Sequence, residues 1–496
     1  MLYASLAVLL AAFFVPMALF RFVDAGEGTD LLVSRLVAEG HLPYHDVFYP
    51  QMYLLPYVYG LWMKAVGYSW YAARLLSALF CIGLGLLVYR DVARRTDSRR
   101  WALGAAVLFA FSSDVFGLYS LAKSHALVTL LMFGAYSVLA TGSRWRWAAS
   151  GFMLGLATAC RVYLAGVVPA FLFHLYRSEP ERRARWMSLG GFTVGFTVTL
   201  LPAELLYLMD PETFLFNIID NRVIRDHVVP SIDGLTWWDD KTLFLRMLLG
   251  MHAGLPNTTH QMAVLAALCI AGAMSALRAR QRVPLPSLIA LCLFAASHVP
   301  TPMYAQYFCV LMPFLLVDAT AFVATLVRES RAAHVRHILA VGVTVYLLVA
   351  PPEVYRYTVW DRAEFIAGQQ STPTDWKIAT IRAVGASIDR HVRPDRPVAL
   401  SFWPGYFVET RATIVPGMET HFSWQFATAL TPAEAVRFRL ISAAQLLALM
   451  RAGSIDVVAL GIRTPNRPAL GEELRRFGFE LKETIAGAEI YTRPRS

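Results

Sequence analysis

The sequence predicts a polytopic α-helical membrane protein of about eleven spans, followed by a C-terminal soluble α/β domain. Of its 496 residues, 56% are hydrophobic and only 16% are charged, whereas about a quarter of the residues in soluble domains are charged. Apolar runs of about 20 residues, the length that crosses a bilayer as a helix, recur up to residue 352. Beyond that point the chain becomes polar and shows the periodicities of separate helices and strands.

The first apolar run, "LYASLAVLLAAFFVPMALF", has no basic region before it and no clear small-residue cleavage site after it. We therefore interpret this run as a retained span and not as a signal peptide. The eleven predicted spans lie near residues 2–20, 71–89, 102–118, 124–141, 147–161, 162–176, 187–207, 260–277, 284–299, 305–327 and 338–352.

Arginine-rich connections between the spans predict the orientation of the chain. They lie at residues 90–100, 143–147, 177–185, 278–282 and 328–337. With eleven spans, all of these connections fall on one face, which the positive-inside rule assigns to the cytoplasm. The net charge of +10 is explained by these topology signals facing anionic membrane lipids, so nucleic-acid binding is not predicted.

The segment 51–67 would invert every later connection if it were a span. It is short, and Pro56 and Gly60 interrupt it, so an interfacial helix is the better interpretation. Residues 21–70 then form one outer loop. Within this loop, "TDLLVSRLVAEG" predicts an amphipathic helix that lies on the membrane and stops at Gly40.

Two stretches, 101–141 and 147–176, each contain two predicted spans with almost no connection between them. A break near Arg161 leaves short helices and places an arginine below the membrane surface, where charges are costly and often functional. Lys123 and His125 mark the break in the first stretch.

The polar C-terminal part, residues 353–496, predicts a soluble α/β domain on the outer face, so that 1–352 is the transmembrane domain. "PTDWKIATIRAVGASIDRHV" and "PAEAVRFRLISAAQLLALMRAG" each predict one helix, and "PVALSF" and "DVVALGI" predict buried strands. "FELKETIAGAEIYTR" predicts a hairpin that turns at Ala486–Gly487.

The outer-face polar residues combine three kinds of chemistry. A carboxylate can act as general base on a hydroxyl, arginine and lysine can hold a phosphate, and aromatic faces suit sugar rings. The candidates for the carboxylate role are Glu27, Asp24 and Asp46; those for donor phosphate are Arg161, Lys123, His125, Arg222 and Arg225; those for sugar or acceptor are Tyr44, Tyr49 and Tyr53. Together they fit transfer of a sugar from a lipid-linked phosphate, because an anionic leaving group needs a cationic clamp but no strong general acid.

Several of these residues also have a structural interpretation. Glu27 and Asp24 are then solvated loop carboxylates or helix N-terminal charges. Asp46 pairs with Arg74 or caps a turn instead of contacting a ligand, and Arg161 snorkels or pairs with an acid.

No metal ligand is assigned. The cysteines, at 81, 160, 269, 292 and 309, lie in or beside apolar runs and show no metal-ligand spacing. No cofactor is therefore predicted firmly. A divalent cation such as Mg or Mn stays an alternative for His41 and His45 with Asp46, which have suitable side chains without clear ligand spacing.

The run "GEGTDLLVSRLVAEGHLPYHDVFYPQMYLLPYVYGLWMKAVGYSWYAARLLSALF" resembles the first-loop signature of the GT-C membrane glycosyltransferases. Within them it is most similar to the protein O-mannosyltransferase and aminoarabinose-transferase type. The family pattern is an acidic pair, a surface helix ending in Gly, a Tyr-x-Asp, a Pro-containing aromatic helix, and then Gly and Ala-Arg-Leu. The matching positions are Glu27, Gly40, Tyr44 with Asp46, Pro50 to Pro56, Gly67, and Ala73 to Leu75.

Two departures from this pattern bear on the catalytic acids. The usual Asp-Glu pair is Gly26-Glu27 here, so the resemblance implies that the base is Glu27, or Asp24 displaced by two residues. A second acid of the family would align near "AKSHAL", where this chain has Lys123 and His125.

The resemblance implies an inverting glycosyltransferase on the extracytoplasmic side of a bacterial inner membrane, with a role in cell-envelope glycans. Its partners would be membrane lipids, a polyprenyl-phosphate-linked sugar, and a lipid, glycan or protein acceptor. A transporter or flippase of lipid-linked glycans is the main alternative, although the sequence shows no inverted repeat. A non-catalytic GT-C-like scaffold is the other alternative, and the missing second acid keeps it open.

Overall fold

The computed structural model describes residues 2–228, 241–242, 245–246, 258–300, 303–330, 333–360, 373–395 and 397–494. The α-helices of this part are α1 Leu2–Phe20, α2 Ala25–Ala38, α3 Leu54–Val66, α4 Trp70–Thr96, α5 Arg99–Ala110, α6 Ser124–Leu139, α7 Arg146–Thr158, α8 Val168–Ser178, α9 Arg182–Val198, α10 Leu201–Met209, α11 Pro211–Leu215, α12 Asn221–Val228, α13 Thr258–Arg278, α14 Leu285–Ser297, α15 Met312–Glu329, α16 Ala333–Leu348, α17 Ala350–Tyr355, α18 Ile378–His391, α19 Ser423–Ala427, α20 Pro432–Arg437, α21 Ala443–Arg451 and α22 Arg467–Arg476. The strands are β1 Val398–Ser401, β2 Thr413–Ile414, β3 Val457–Leu460, β4 Glu480–Ile485 and β5 Ala488–Thr492.

Five helices of the described residues are long and apolar enough to cross a membrane, which makes the chain a membrane protein. They are Leu2–Phe20, Trp70–Thr96, His260–Arg278, Ala305–Glu329 and Arg336–Val359. The pair α9 and α10, bent by 42°, supplies a sixth crossing if it counts as one span. Each of the eleven predicted spans falls on a helix or on two successive helices, but the others are short, so the count of eleven stays a prediction.

The orientation can be tested with reporters. Fusing alkaline phosphatase after Ser496 is expected to give an active enzyme, because the arginine-rich connections predict that the C-terminal domain lies outside. The control is the same reporter fused within the connection 90–100, which is expected to be inactive. An inactive C-terminal fusion, together with an active cytoplasmic reporter at the same site, would contradict the topology.

Helix α2 forms where the outer-loop helix is predicted, and Gly40, at φ 107°, follows its C-terminal end. It begins earlier than the apolar stripe indicates, because Asp24 and Glu27 form a capping box around its first turn. The expectation of a helix with one polar, solvent-facing side is wrong, since most of its residues, including Thr29 and Ser34, are buried in protein, whereas its position relative to the membrane stays a prediction.

The C-terminal domain covers the side of α2 that was expected to be open. The Trp403 indole donates a hydrogen bond to the Ala25 carbonyl at 2.8 Å. The Arg35 guanidinium donates to the Phe407 carbonyl at 2.9 Å. A Cβ added to Gly28 would lie 2.8 Å from the Gly405 backbone, so the two segments are in direct contact at a glycine. Helix α2 is therefore held between the transmembrane helices and the soluble domain.

The soluble domain contains a five-stranded mixed sheet of order β2-β1-β3-β5-β4. The strands β1 and β3 are parallel, and β4 and β5 form the predicted antiparallel hairpin, with Ala486 at φ 51° in its turn. Helix α18 buries Ile378, Ile381 and Val384, as their helical spacing predicts. Helix α17 runs across the predicted boundary at 352/353, so the exact division between the domains stays a prediction.

The prediction of a single helix over 432–453 is wrong. The structure has two helices, α20 and α21, separated by residues 438–442. Each begins with its own capping box, Thr431 with Glu434 and Ser442 with Gln445, and Arg439 adopts a left-handed conformation between them.

Candidate functional site

The site lies where two breaks in the transmembrane helices meet helix α2. In the first break a π-turn, Val115–Tyr119, ends before Lys123, which is the N-cap residue of α6. In the second, Arg161 is extended between the end of α7 and a 3₁₀ turn at Val162–Val167. These interruptions are the ones predicted from the short spans. They bring Lys123 and Arg161 to the N-terminal half of α2.

Asp30 of α2 is the central carboxylate of the site. It is 1% exposed, and its Oδ1 accepts hydrogen bonds from the Tyr49 hydroxyl at 3.0 Å and from the Gln51 amide at 3.2 Å. Its Oδ2 is buried and has no hydrogen-bond partner within the described part of the chain. Burial raises the pKa of Asp30 to about 6, and the positive charges of Lys123 and Arg161 limit this rise. A buried carboxylate with one oxygen unused has the geometry of a general base.

Arg161 presents a cation at a cleft beside Asp30. Its Nε donates to the Ser124 hydroxyl at 2.7 Å, and in the described residues no hydrogen-bond acceptor holds its terminal amino groups. The cleft is small, with a volume of about 10 Å³, which is about the room that one water molecule needs. The residues that line it are Gln51, Met52, Cys160, Arg161, Val162, Tyr163, Ile218, Arg222, Pro300 and Tyr307. Since Gln51 also binds Asp30, the carboxylate and the cleft share a wall.

Lys123 and Asp24 form a buried ion pair, with Nζ and Oδ1 2.5 Å apart. The same Oδ1 accepts a hydrogen bond from the Gly26 amide at 2.9 Å, so Asp24 also caps α2. His125 lies two residues after Lys123 in the first turn of α6, 3% exposed, and its Nε2 is buried without a partner in the described residues. The phosphate-binding roles of Lys123 and His125 stay predictions, and the geometry makes Lys123 first of all the counter-ion of Asp24.

Glu27 has the most completely occupied carboxylate in the region. Its side chain is fully buried and accepts two hydrogen bonds from the Arg74 guanidinium, at 2.6 and 3.0 Å. It also accepts one from the Ala122 amide at 2.7 Å and one from the Asp24 amide at 2.9 Å. This arrangement ties α2, α4 and the break before α6 together. The predicted role of Glu27 as base stays a prediction, and the geometry favours a positioning role instead.

Asp46 lies in an exposed turn. Its carboxylate accepts hydrogen bonds from the Leu42 amide and from His45, both at 2.7 Å. Partial burial acts to raise its pKa, but these two hydrogen bonds hold the pKa of Asp46 below its usual value. The predicted pairing of Asp46 with Arg74 is wrong, because Arg74 binds Glu27. The alternative, that Asp46 caps a turn, agrees with its hydrogen bonds to Leu42 and His45. Its catalytic role stays a prediction.

The described residues contain no group of three or more His, Cys, Asp and Glu side chains arranged to hold a metal ion. His41, His45 and Asp46 are among these described residues. Dependence on Mg or Mn therefore stays an open prediction that no residue cluster in the described ranges supports.

The predicted tyrosines play different structural roles. Tyr49 donates to Asp30 and orients it. Tyr44 donates to the Gln51 carbonyl at 2.7 Å and Tyr53 to the Thr199 carbonyl at 2.6 Å. All three are buried, so contact with a sugar stays a prediction for Tyr44 and Tyr53, whose hydroxyls are used within the protein.

Of the two arginines predicted in the loop after α10, Arg222 lines the cleft and donates to the Ile218 carbonyl at 3.1 Å. The side chain of Arg225 lies outside the described residues. The residues that sequence reasoning missed are Asp30, Gln51 and Ser124. Asp24, Glu27 and Asp30 recur every third residue, a spacing that places side chains on one side of a helix, and this pattern is the signal in the sequence from which Asp30 could have been found.

No protein-family model matches the chain, and no curated protein matches it by sequence. Among solved structures, the chain is similar to ArnT from Cupriavidus metallidurans bound to undecaprenyl phosphate, with a TM-score of 0.66 and 13% identity over 99% of this chain and 97% of that one. The same ArnT in the apo state gives 0.66 and 11% over the same shares. The Archaeoglobus fulgidus oligosaccharyltransferase in complex with Zn and sulfate gives 0.50 and 12%, over 92% of this chain and 67% of that one. At these identities the similarity concerns the fold.

Proposed function

We propose that this chain, which has the GT-C fold of membrane glycosyltransferases, transfers a sugar from a polyprenyl-phosphate donor to an acceptor hydroxyl outside a bacterial inner membrane. The observation that carries the proposal is Asp30, buried with one oxygen unused beside a cleft lined by Arg161 and Arg222. One base and one cationic surface are the two elements that such a transfer requires.

In the proposed reaction the acceptor hydroxyl lies against Oδ2 of Asp30. The acceptor oxygen attacks the anomeric carbon, its proton passes to Asp30, and the bond from that carbon to the phosphate oxygen breaks. Attack from the side opposite the phosphate inverts the anomeric configuration. The polyprenyl phosphate leaves with the bonding electron pair and needs no proton from the enzyme at neutral pH.

Arg161 is proposed to bind the phosphate, because its terminal amino groups face the cleft while Ser124 fixes its Nε. A guanidinium can form two parallel hydrogen bonds to phosphate oxygens. Arg222 adds a second positive charge on the same cleft. The donor class is also supported by the solved structure of similar fold, ArnT, which was bound to undecaprenyl phosphate.

The proposed role of Arg161 predicts a defect in donor binding. Arg161→Ala is expected to weaken binding of undecaprenyl phosphate by about tenfold or more, since a charge-assisted hydrogen bond contributes roughly 1.5–3 kcal/mol. Arg161→Lys should restore only part of the affinity, because lysine lacks the planar fork. The measurement is equilibrium binding to the purified protein in nanodiscs.

Arg146→Ala is the matched control. This arginine pairs with Glu179 at 3.0 Å and belongs to a predicted cytoplasmic connection, so its loss should leave the affinity unchanged. Wild-type affinity in folded Arg161→Ala protein would assign Arg161 a structural role.

The function itself is tested by mass spectrometry of polyprenyl-linked sugars and envelope glycans from cells with and without the gene. Deletion is expected to remove one sugar modification and to increase the amount of its lipid-linked donor. Complementation with the wild-type gene should restore the modification, and complementation with Asp30→Asn should not. If the protein is a flippase, deletion would instead change how the lipid-linked donor is distributed between the two faces of the membrane. If it is a non-catalytic scaffold, complementation with Asp30→Asn would restore the modification.

A further inference from the structure

The soluble domain contains an apolar cavity that is separate from the cleft at Arg161. Its floor is one face of the parallel strands β1 and β3, where the directly paired residues Leu400 and Val458, and Leu460 two positions further along β3, point the same way. Helix α18 packs on the opposite face of the sheet. The helices α19, α21 and α22 contribute the walls. The lining residues are Leu400, Phe402, Met418, Trp424, Ala427, Thr428, Ile441, Ala443, Leu446, Leu447, Met450, Val458, Leu460, Pro465, Leu470, Glu473 and Leu474.

The cavity is large for a protein interior. Its volume is about 330 Å³, whereas cores are packed so closely that voids larger than a water molecule are few. At roughly 30 Å³ per water-sized group, this volume holds about ten methylene groups. It also falls in the range of small-molecule sites, roughly 300–1,000 Å³.

The lining defines the chemistry of a ligand. Thr428 and Glu473 are both exposed, which places them at the mouth. The only other side-chain polar atom of the lining is the indole N–H of the half-buried Trp424, so most polar groups of a buried ligand would remain unpaired, at a cost in binding. The carboxylate of Glu473 at the mouth repels anionic head groups. These features select an aliphatic chain attached to a neutral head.

We propose that this cavity binds a single aliphatic chain, acyl or isoprenoid, attached to an uncharged head group. The chain lies against β1 and β3, and the head stays at the mouth beside Thr428 and Glu473. The inference does not rest on the proposed glycosyl transfer, because it concerns a different cavity and needs no chemical step.

The wall of the cavity is also in contact with helix α2. In the segment 417–428, Met418 and Trp424 line the cavity, while His421 lies 2.8 Å from the Thr29 hydroxyl, next to Asp30. Phe426 packs edge-to-face on Phe48, with the ring centroids 5.6 Å apart. A bound chain would therefore contact one side of a segment whose other side supports the first outer loop.

The test is photolabelling of the full-length protein in nanodiscs. Two probes are used in parallel, a monoacylglycerol and a polyprenol, each with a diazirine in its chain. We expect adducts on peptides that contain Trp424 or residues 443–451, and the probe that gives them identifies the chain as acyl or isoprenoid. An excess of the same lipid without a diazirine should compete in the wild-type protein.

Ala443 and Ala444 provide a matched pair of variants, since both are exposed on α21 and only Ala443 lines the cavity. Ala443→Trp should lower labelling of these peptides by roughly tenfold or more, because the ring obstructs the mouth and the chain loses its apolar contacts. Ala444→Trp should leave labelling unchanged. The proposal would be overturned if neither probe gave competable labelling of these peptides in the wild-type protein. It would also be overturned if Ala443→Trp and Ala444→Trp, both folded, were labelled equally.

Discussion

Asp30→Asn is expected to lower sugar transfer by roughly 10²–10⁴-fold, the usual cost of removing a general base. Asparagine keeps the size of the side chain and can still accept the hydrogen bonds from Tyr49 and Gln51, but it cannot take up the acceptor's proton. The fold and the affinity for undecaprenyl phosphate should therefore be retained. The measurement is sugar transfer by the purified protein, with the lipid-linked donor and the acceptor found by comparing cells with and without the gene.

The pH profile provides a second measure of the same group. Burial raises the pKa of Asp30 to about 6, and only the ionised form accepts a proton. Transfer should thus be full at pH values above about 6 and decrease as the pH falls through this value.

Two carboxylates of the same region serve as controls for Asp30. Glu39→Gln removes an acid at the C-terminal end of α2 that pairs with Arg35, and transfer should be unchanged. Asp24→Asn removes the counter-ion of Lys123 and tests the alternative assignment of the base. If Asp30→Asn retains wild-type transfer and Asp24→Asn loses it, the base is Asp24. If Asp30→Asn, Asp24→Asn, Glu27→Gln and Asp46→Asn all retain it, the first-loop mechanism is wrong.

Arg74→Met is expected to destabilise the protein by about 3–5 kcal/mol, the typical cost of breaking a buried ion pair by removing one partner. It would leave the Glu27 carboxylate fully buried without its counter-ion. It would also remove the hydrogen bonds that Arg74 donates to the carbonyls of Ala18, Arg21 and Phe22. The measurement is thermal unfolding of the solubilised protein, together with its yield in the membrane.

Arg382→Met is the surface control for this prediction. Arg382 pairs with Glu409 at 2.7 Å and is 48% exposed, and such pairs contribute about 0–1 kcal/mol. Glu27→Gln separates the two interpretations of Glu27. A positioning role predicts loss of stability together with transfer, and partial recovery when Glu27→Gln and Arg74→Met are combined. Loss of transfer in a protein of wild-type stability would restore Glu27 as the base.

The sequence was informative wherever a local pattern determines the structure. Long apolar runs predicted helices, the spacing of Ile378, Ile381 and Val384 predicted the face that α18 buries, and Ala486–Gly487 predicted the terminal hairpin. The charged residues at 123 and 161 were correctly placed at interruptions, because a charge in an apolar run is costly unless the helix breaks there.

The sequence was less informative where burial comes from distant residues. Helix α2 was expected to have a polar, solvent-facing side because Trp403 and Phe407, which cover it, are more than 370 positions away in the chain. Glu27 was likewise treated as an accessible acid, because its partner Arg74 lies 47 positions away in the chain. Asp30 became a candidate only once its unused Oδ2 could be distinguished from the fully occupied oxygens of Glu27.

The position of α2 between the two halves of the protein limits how the protein can be recombined. One way to recombine the protein is to exchange its C-terminal domain for that of another protein of the same fold. In such a chimera, Trp403, Phe407 and His421 would come from one protein and their partners on α2 from the other. A transplant that carries residues 24–35 along with the domain keeps these contacts matched, but it also carries Asp30. The proposed base and the domain that covers it therefore have to be exchanged together, and a chimera joined near residue 352 would separate them.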